Sequence, residues 1–401
     1  MICWLCRPGA FVWFGLVAWA AVAPPVLNTN QTAPQNANRR SAWVSDDEIA
    51  HLPPELRTAM ATDPFTFFRR VNRVWNERVC TAFAGEQQPR VRLHGDAHVE
   101  QYAFTRDAYG LDDFDDSAEG PAVIDLVRFI GSLRLAAMQR RWQSQVERPI
   151  DAFLDGYRRA LGDPGYTPPE PSVIHRLRLK REPTAAAFLA AVEARMEPTP
   201  APVRLAARDA LERLATRYPD WPRGYFTLKK IGALQMGVGS YTASKFLMRV
   251  EGPSPAADDD VILEAKEVSD LNGVDCITTP VLYEAVRVII GAQQIGRLHH
   301  SVLSVFGGLA AEQPKRREWW LRSWDRTYRE VHIADLRSVE ELSELARDAG
   351  AQLGSAGIAG GRSAEAAAVR RRALETAIRL QPRVRQMAAD LTSEMLKAWR
   401  Q

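Results

Sequence analysis

Cysteine, lysine and long apolar runs are all scarce in this sequence. The four cysteines, Cys3, Cys6, Cys80 and Cys276, are too few and too scattered for a disulfide scaffold or a four-thiolate zinc centre. Cys3 and Cys6 form a C-x-x-C, but it abuts an apolar run rather than a βαβ pattern, which disfavours a redox motif. Charge of one sign is missing too: 52 Lys+Arg against 49 Asp+Glu leave +3. A chain that coats nucleic acid needs a large basic excess, so no nucleic-acid partner is expected. Only residues 10–23 form a long apolar run, short of the roughly 20 residues of a membrane span, which excludes a polytopic membrane protein. Neither an internal repeat nor a sustained heptad is present.

What is present is ordinary globular material, 46% hydrophobic and 25% charged over 401 residues. At about 100 to 200 residues per domain this allows two or three packed units. Residues 1–38 differ from the rest: Arg7, the apolar stretch Ala10–Ala23, then a Pro/Asn/Gln-rich linker. That order predicts an export signal, with Ala21-Val22-Ala23 resembling a cleavage site. Pro24 disfavours cutting there, so membrane anchoring through residues 10–23, on the periplasmic side, is the second expectation. A cytoplasmic protein with its start set too far upstream is the third.

Apolar spacing predicts a helix over 63–84, introduced by Asp63-Pro64, and short strands at 90–93 and 109–111. A helix begins at Pro121, and helical patterns fill most of 144–218. The texture changes at Tyr225. Strands are expected over 225–235, 244–250 and 261–268, then a helix from Thr279-Pro280 to about Leu298, one or two strands in 318–331, and helices from Ser338 to Arg400. The expected fold class is α+β: a mostly helical lobe over 39–222, a small antiparallel-sheet lobe over 223–335, and C-terminal helices over 336–401.

Two polar clusters carry the chemistry. His94, Asp96 and His98 alternate at the end of an apolar strand, so in extended backbone they share one face, with Gly95 free to bend. Asp112-Asp113-Phe114-Asp115-Asp116 follows, four carboxylates that repel unless a cation compensates them. Together they predict a divalent-metal site with a general base, Asp96 and His98 being the catalytic candidates. The competing expectation is an acidic surface turn with a capping histidine.

His94-Gly95-Asp96-Ala97-His98-Val99-Glu100-Gln101 resembles the H-G-D-x-H-x-x-N catalytic loop of aminoglycoside phosphotransferases and related kinase-like enzymes. Leu111–Asp116, Gly120-Pro121 and Asp125-Leu126 resemble their I-D-F-x-D, G-D-P and D-L-A segment. Closer still is the bacterial domain of unknown function 2252 family, whose D-L-x-R-x-x-x-S helix is matched by Asp125, Leu126, Arg128 and Ser132; the resemblance extends weakly to residue 355. It implies that Asp96 orients the acceptor hydroxyl and takes its proton, that Asp113 binds Mg²⁺, and that Asp115 or Asp116 holds a second ion or its waters. His94 and Asp125 are implied to be scaffolding. Gln101 replaces the family's metal-binding Asn, and Ala351-Gln352-Leu353-Gly354 stands where the family closes with an A-H-A-R-like motif.

A kinase-like site also needs a cation and a backbone lid over the phosphates. Gly237-Val238-Gly239-Ser240 between two strands, Lys266 within the apolar run 261–266, and Glu284 on the following helix supply that order. They come after the catalytic loop, which implies a circularly permuted protein-kinase-like two-lobe fold. The implied activity is ATP- and Mg²⁺-dependent phosphoryl transfer to a hydroxyl of a small molecule or protein, with the acceptor pocket built by residues 144–218. Two alternatives stand beside it: a catalytically impaired kinase-like nucleotide-binding or scaffolding protein, and a metal-dependent hydrolase using the His-Gly-Asp-Ala-His cluster. His299-His300 is expected to cap a helix, Trp319–Trp324 to border a base or fill the core, and Arg370–Arg372 to form a solvated helix face.

Overall fold

The computed structural model describes residues 43–180, 182–234, 244–271, 273–279, 281, 283–307, 318–356 and 364–400. The chain divides into Met1–Ser41 and Ala42–Gln401, and the second unit is described here. It is 52% helix and 15% strand with small antiparallel sheets, the expected α+β class. Among the described residues no helix is long and apolar enough to cross a membrane. Residues 10–23, with the expected signal or anchor, lie outside the described residues.

Among the described residues ten strands run in chain order: β1 (Arg90–Leu93), β2 (Tyr102–Phe104), β3 (Tyr109–Leu111), β4 (Ala118–Pro121), β5 (Leu228–Ala233), β6 (Lys245–Val250), β7 (Val261–Glu267), β8 (Leu303–Gly307), β9 (Glu318–Trp324) and β10 (Arg329–Glu330). β1 pairs with β4, Leu93 opposite Ala118, so the whole segment between them is a loop held at its neck. Within that loop β2 and β3 form a hairpin, extended by β10. The five-stranded sheet has the order β5-β6-β7-β9-β8, all antiparallel, with Lys266 on its central strand facing Lys245 on β6 and Trp320 on β9.

Alternation along these strands decides what covers the sheet. Met248, Leu263, Ala265 and Leu321 pack with Leu211 and Leu214 of the Ala201–Ala215 helix. Leu247 and Ile262 point the other way, against Leu189 and Val192 of the Ala185–Glu193 helix. The main core lies among the remaining helices around the buried Val123–Gln139 helix, with Phe68, Trp75, Phe129, Phe153 and Leu345 in it.

Local chemistry explains several boundaries and corrects others. Asp63 caps a helix by accepting from the amides of Phe65 (3.1 Å) and Thr66 (2.9 Å), with Pro64 at the first position. The helix expected to run through 63–84 breaks at Val71 (φ −90°, ψ 21°) into Pro64–Arg70 and Asn72–Phe83. The helix expected from Thr279-Pro280 spans only Glu284–Gln294, and Pro280 lies outside the described residues. His299-His300 therefore caps no helix; His300 Nδ1 instead lies 3.0 Å from the carbonyl of Ser323. Cys80 and Cys276, 196 residues apart, form a disulfide that ties the Asn72–Phe83 helix to the segment after β7.

The Glu147–Gly162 and Val339–Ala356 helices meet at glycines. A Cβ on Gly156 would lie 2.1 Å from the carbonyl oxygen of Arg347, and one on Gly350 2.1 Å from that of Phe153. Backbone cannot yield cheaply to a methyl. Gly350→Ala is accordingly expected to cost about 1–3 kcal/mol by forcing the helices apart, read as a lower urea midpoint at unchanged m-value; an unchanged midpoint would show that the contact is loose.

Candidate active site

β1 buries Val91 and Leu93 and delivers the chain to His94. Gly95 then turns with φ +85°, and a Cβ there would sit 1.9 Å from the carbonyl oxygen of Asp116. Only glycine lets the two polar clusters approach so closely. The chain thus bends at Gly95 rather than staying extended. His94 places Nε2 2.9 Å from the carbonyl of Asp112, its Nδ1 accepts from the amide of Asp96 at 3.3 Å, and its ring packs on Phe114. Both ring nitrogens are thus engaged by backbone.

One helix face reads this loop. Asp125 accepts from the amides of His94 (2.8 Å) and Gly95 (2.9 Å), and Ser132 Oγ accepts from the amide of Val99 (3.1 Å). Between them the fully buried Arg128 donates through Nε to Asp96 Oδ1 at 2.9 Å, with its guanidinium 3.5 Å from the Phe68 ring centroid. Burial outweighs this partner and pushes the Asp96 carboxyl up to about 6. His98 is enclosed edge-on by Phe65 and Phe68, with Nε2 3.6 Å from Asp96 Oδ2 and no hydrogen bond on either nitrogen. Burial first, then Arg69 and Arg128, hold its pKa well below the ordinary value, so the ring is neutral.

The four carboxylates of the second cluster separate toward different partners. Asp112 accepts from Arg322 Nη1 on both oxygens (2.9 and 2.8 Å) and from the hydroxyl of Tyr328 (2.8 Å). Asp113 adopts the left-handed region (φ 62°) and meets Lys266 Nζ at 3.1 Å. Asp115 also contacts Lys266 and accepts from Trp320 Nε1 at 3.0 Å. Asp116 accepts from Asn72 at 3.0 Å. Burial raises both members of the Lys266 pair, but for Asp113 the charges of Lys266, Arg322 and Lys245 win and its pKa falls well below normal. For Asp115 burial and the Asp113 charge win, pushing it up to about 7. Lys266 is 4% exposed. Burial opposes its charge, yet Asp113, Asp115 and Glu264 raise its pKa.

Sequence reasoning brought Asp96, Asp113, Asp115 and Lys266 into one region, and the structure joins the last three directly. Glu284 is the exception. It pairs with Arg287 three residues on (2.6 Å), and Lys266 has taken the two aspartates instead. Gln101 is buried in the turn Val99–Gln101, where its carbonyl accepts from the amide of Asp112 at 2.7 Å. Gly237, Gly239 and Ser240 lie outside the described residues, in the connection between β5 and β6. Among the described residues no group of three or more His, Cys, Asp or Glu is arranged to hold a metal.

The reading from sequence missed the cations that neutralise the cluster. Arg322 bridges Asp112 and Glu264, and buried Arg287 donates to the carbonyls of Asp115 and Ser117. It also missed Asn72 and Asn76, which both donate to the carbonyl of Gly95 at 3.0 Å. Gln352, in place of the family's motif, accepts from Leu111 N (2.9 Å) and donates to Ile295 O (2.7 Å), clamping β3 to the end of the Glu284–Gln294 helix. Polar residues at 125, 128 and 132 on an otherwise apolar helix were the available signal for Arg128.

Two cavities flank the site. One of about 370 Å³ is lined by Phe188, Val192, Leu234, Trp324 and Tyr328, with Lys245 and Arg322. The other, about 400 Å³, holds Asp96 and Asp116. Lys266 faces Lys245 of the first across the sheet and precedes Glu267 of the second.

Removing Arg128 strands an ionised Asp96 in the interior. Arg128→Met is expected to cost about 3–5 kcal/mol at pH 7. The raised carboxyl protonates as pH falls, so the deficit shrinks at pH 5; urea denaturation at both pH values reads it, and an equal deficit at both would contradict the assignment.

No curated protein and no solved structure matches the chain. Residues 49–220 match the model of a family described as an uncharacterized protein conserved in bacteria, DUF2252, which supports the family likeness drawn from His94–Gln101 and Asp125–Ser132 and ends before the five-stranded sheet begins.

Proposed function

We propose that the protein is a kinase-like phosphotransferase with its lobe order exchanged in sequence, moving the terminal phosphoryl group of ATP to a hydroxyl. The observation that carries this is the 3.1 Å contact between Lys266 and Asp113, a lone buried ammonium of the sheet meeting the acidic loop from 153 residues away. Support comes from element order: two strands joined through residues 237–240, a third with Lys266, then the Glu284–Gln294 helix, as in a kinase small lobe. The about 370 Å³ cavity beside Lys245 and Arg322 has the apolar and aromatic lining a base requires, Trp324 included.

Asp113 and Asp115 are the two carboxylates that would receive a divalent cation. The two converge on one ammonium, and burial first, then the Asp113 charge, pushes Asp115 up to about 7. Asp113 and Asp115 would hold Mg²⁺, with Gln101 as the remaining oxygen donor, and the ion would neutralise charge on the phosphates. Lys266 contributes a fixed positive charge at the transferred group. Asp96, ionised at neutral pH and steadied by Arg128, orients the hydroxyl and accepts its proton.

A binding or scaffolding role is the second reading, favoured by Lys266 being already satisfied by two carboxylates. Compartment bears on it as well. The Cys80–Cys276 disulfide suits an oxidising environment, in line with the export signal expected in residues 1–38, and such compartments hold little ATP. The metallohydrolase reading draws no support, since His94 spends both ring nitrogens on backbone and His98 is walled by phenylalanines.

Asp96→Asn separates these readings. An enzyme keeps its nucleotide affinity by calorimetry and loses about 10²- to 10⁴-fold in ADP release. The wild-type rate should also fall as pH drops below about 6, where Asp96 protonates. Nucleotide binding without any ADP release in the wild type would establish the second reading, and no nucleotide binding would end both.

A further inference from the structure

Resting on the phosphotransferase reading, we infer that Lys266 is a latch. Its ammonium fills the place between Asp113 and Asp115 that a divalent cation would take, so metal and nucleotide enter this site together and neither enters well alone.

The stem of Lys266 is fixed on β7, opposite Lys245 of β6 and Trp320 of β9, so only its tip can change partner. Like charges directly opposite on neighbouring strands repel, and each is drawn to a different anion. Lys245 goes to Glu264, which Arg322 also holds at 2.6 Å, and Lys266 goes to the aspartates. The two aspartates differ in access. Asp115 is anchored by Trp320 Nε1 at 3.0 Å and its side chain is 8% exposed. The side chain of Asp113 is 31% exposed and reaches Lys266 from left-handed backbone at φ 62°, a region that aspartate tolerates. Asp113 is therefore the member open to ions from solvent.

The neighbouring acids are committed elsewhere. Asp112 accepts from Arg322 and Tyr328, Asp116 accepts from Asn72, and Glu284 pairs with Arg287. A metal ion that took the aspartates alone would strand a buried ammonium. A triphosphate that drew Lys266 away alone would leave two close carboxylates without their cation. With both present, Lys266 turns to phosphate oxygens as Asp113 and Asp115 turn to the ion, and every charge keeps a partner. The exchange makes the two affinities reciprocal: the factor by which nucleotide strengthens metal binding is the factor by which metal strengthens nucleotide binding.

The test titrates Mn²⁺, which also takes oxygen ligands, into the full chain without nucleotide and reads the free ion by electron paramagnetic resonance. The wild type should show no saturable site below about 1 mM, and Lys266→Met should gain one at least about tenfold tighter. The gain should vanish in Lys266→Met/Asp113→Asn. Lys266→Gln, which keeps a donor for one carboxylate, takes the same place in the test if the methionine variant does not fold. By calorimetry, Mg²⁺ should raise the ADP affinity of the wild type at least about tenfold over its value in chelator, a margin that shrinks in the Lys266 variants. Mn²⁺ binding to the nucleotide-free wild type, no gain in either Lys266 variant, an equal gain in Lys245→Met, or ADP binding indifferent to Mg²⁺ would each overturn the latch. If ADP binds under neither condition, the phosphotransferase reading fails by itself, and the Mn²⁺ titrations still decide whether Lys266 holds the two aspartates closed.

Discussion

The site depends on the burial of one ammonium between two carboxylates. Lys266 enters the interior on the central strand of the sheet, and three neighbouring aspartates and glutamates keep it charged there. Each partner would be costly alone, because a buried charge loses its hydration and recovers it only from an opposite charge close by. Around this pair the signs alternate: Lys245 and Arg322 on Glu264, Arg322 on Asp112, Arg287 against the carbonyls of the acidic loop. Sheet and acidic loop are therefore joined by these charges as well as by the main apolar core, which includes Phe114 of the loop and Trp320 of β9.

A second constraint acts on the His94–His98 loop itself. Asp125, Arg128 and Ser132 sit on one face of a helix that is otherwise packed in the core, so the loop inherits the rigidity of that packing. Asn72 and Asn76 grip the same turn from a second helix, and that helix is tied by Cys80 to the connector that forms the far wall of the Asp96 cavity. The disulfide thus joins one wall of this cavity to the other.

What the sequence disclosed follows the rarity of its signals. A lysine in an apolar strand and dense carboxylates beside a glycine are conspicuous because burying them is expensive, and Lys266, Asp96, Asp113 and Asp115 were found that way. β5, β6, β7 and β9 fall within ranges expected from sequence, whereas β8 was not expected. Pairing over long separations was not legible: nothing local distinguishes Cys80 as the partner of Cys276, or Arg322 rather than a metal as the neutraliser of Asp112. Assignment of Glu284 to Lys266 failed for the same reason, since Arg287 one turn away and the aspartates across the cleft were nearer. The bend at Gly95 was legible from its missing Cβ, and the partners that His94, Asp96 and His98 reach after it were not.

The most direct test of the Lys266 account is a crystal structure with Mg²⁺ and a non-hydrolysable ATP analogue. The account predicts a phosphate oxygen at about 3 Å from Lys266 Nζ and the metal on Asp113. A nucleotide bound elsewhere, with Lys266 still closed on both aspartates, would contradict it.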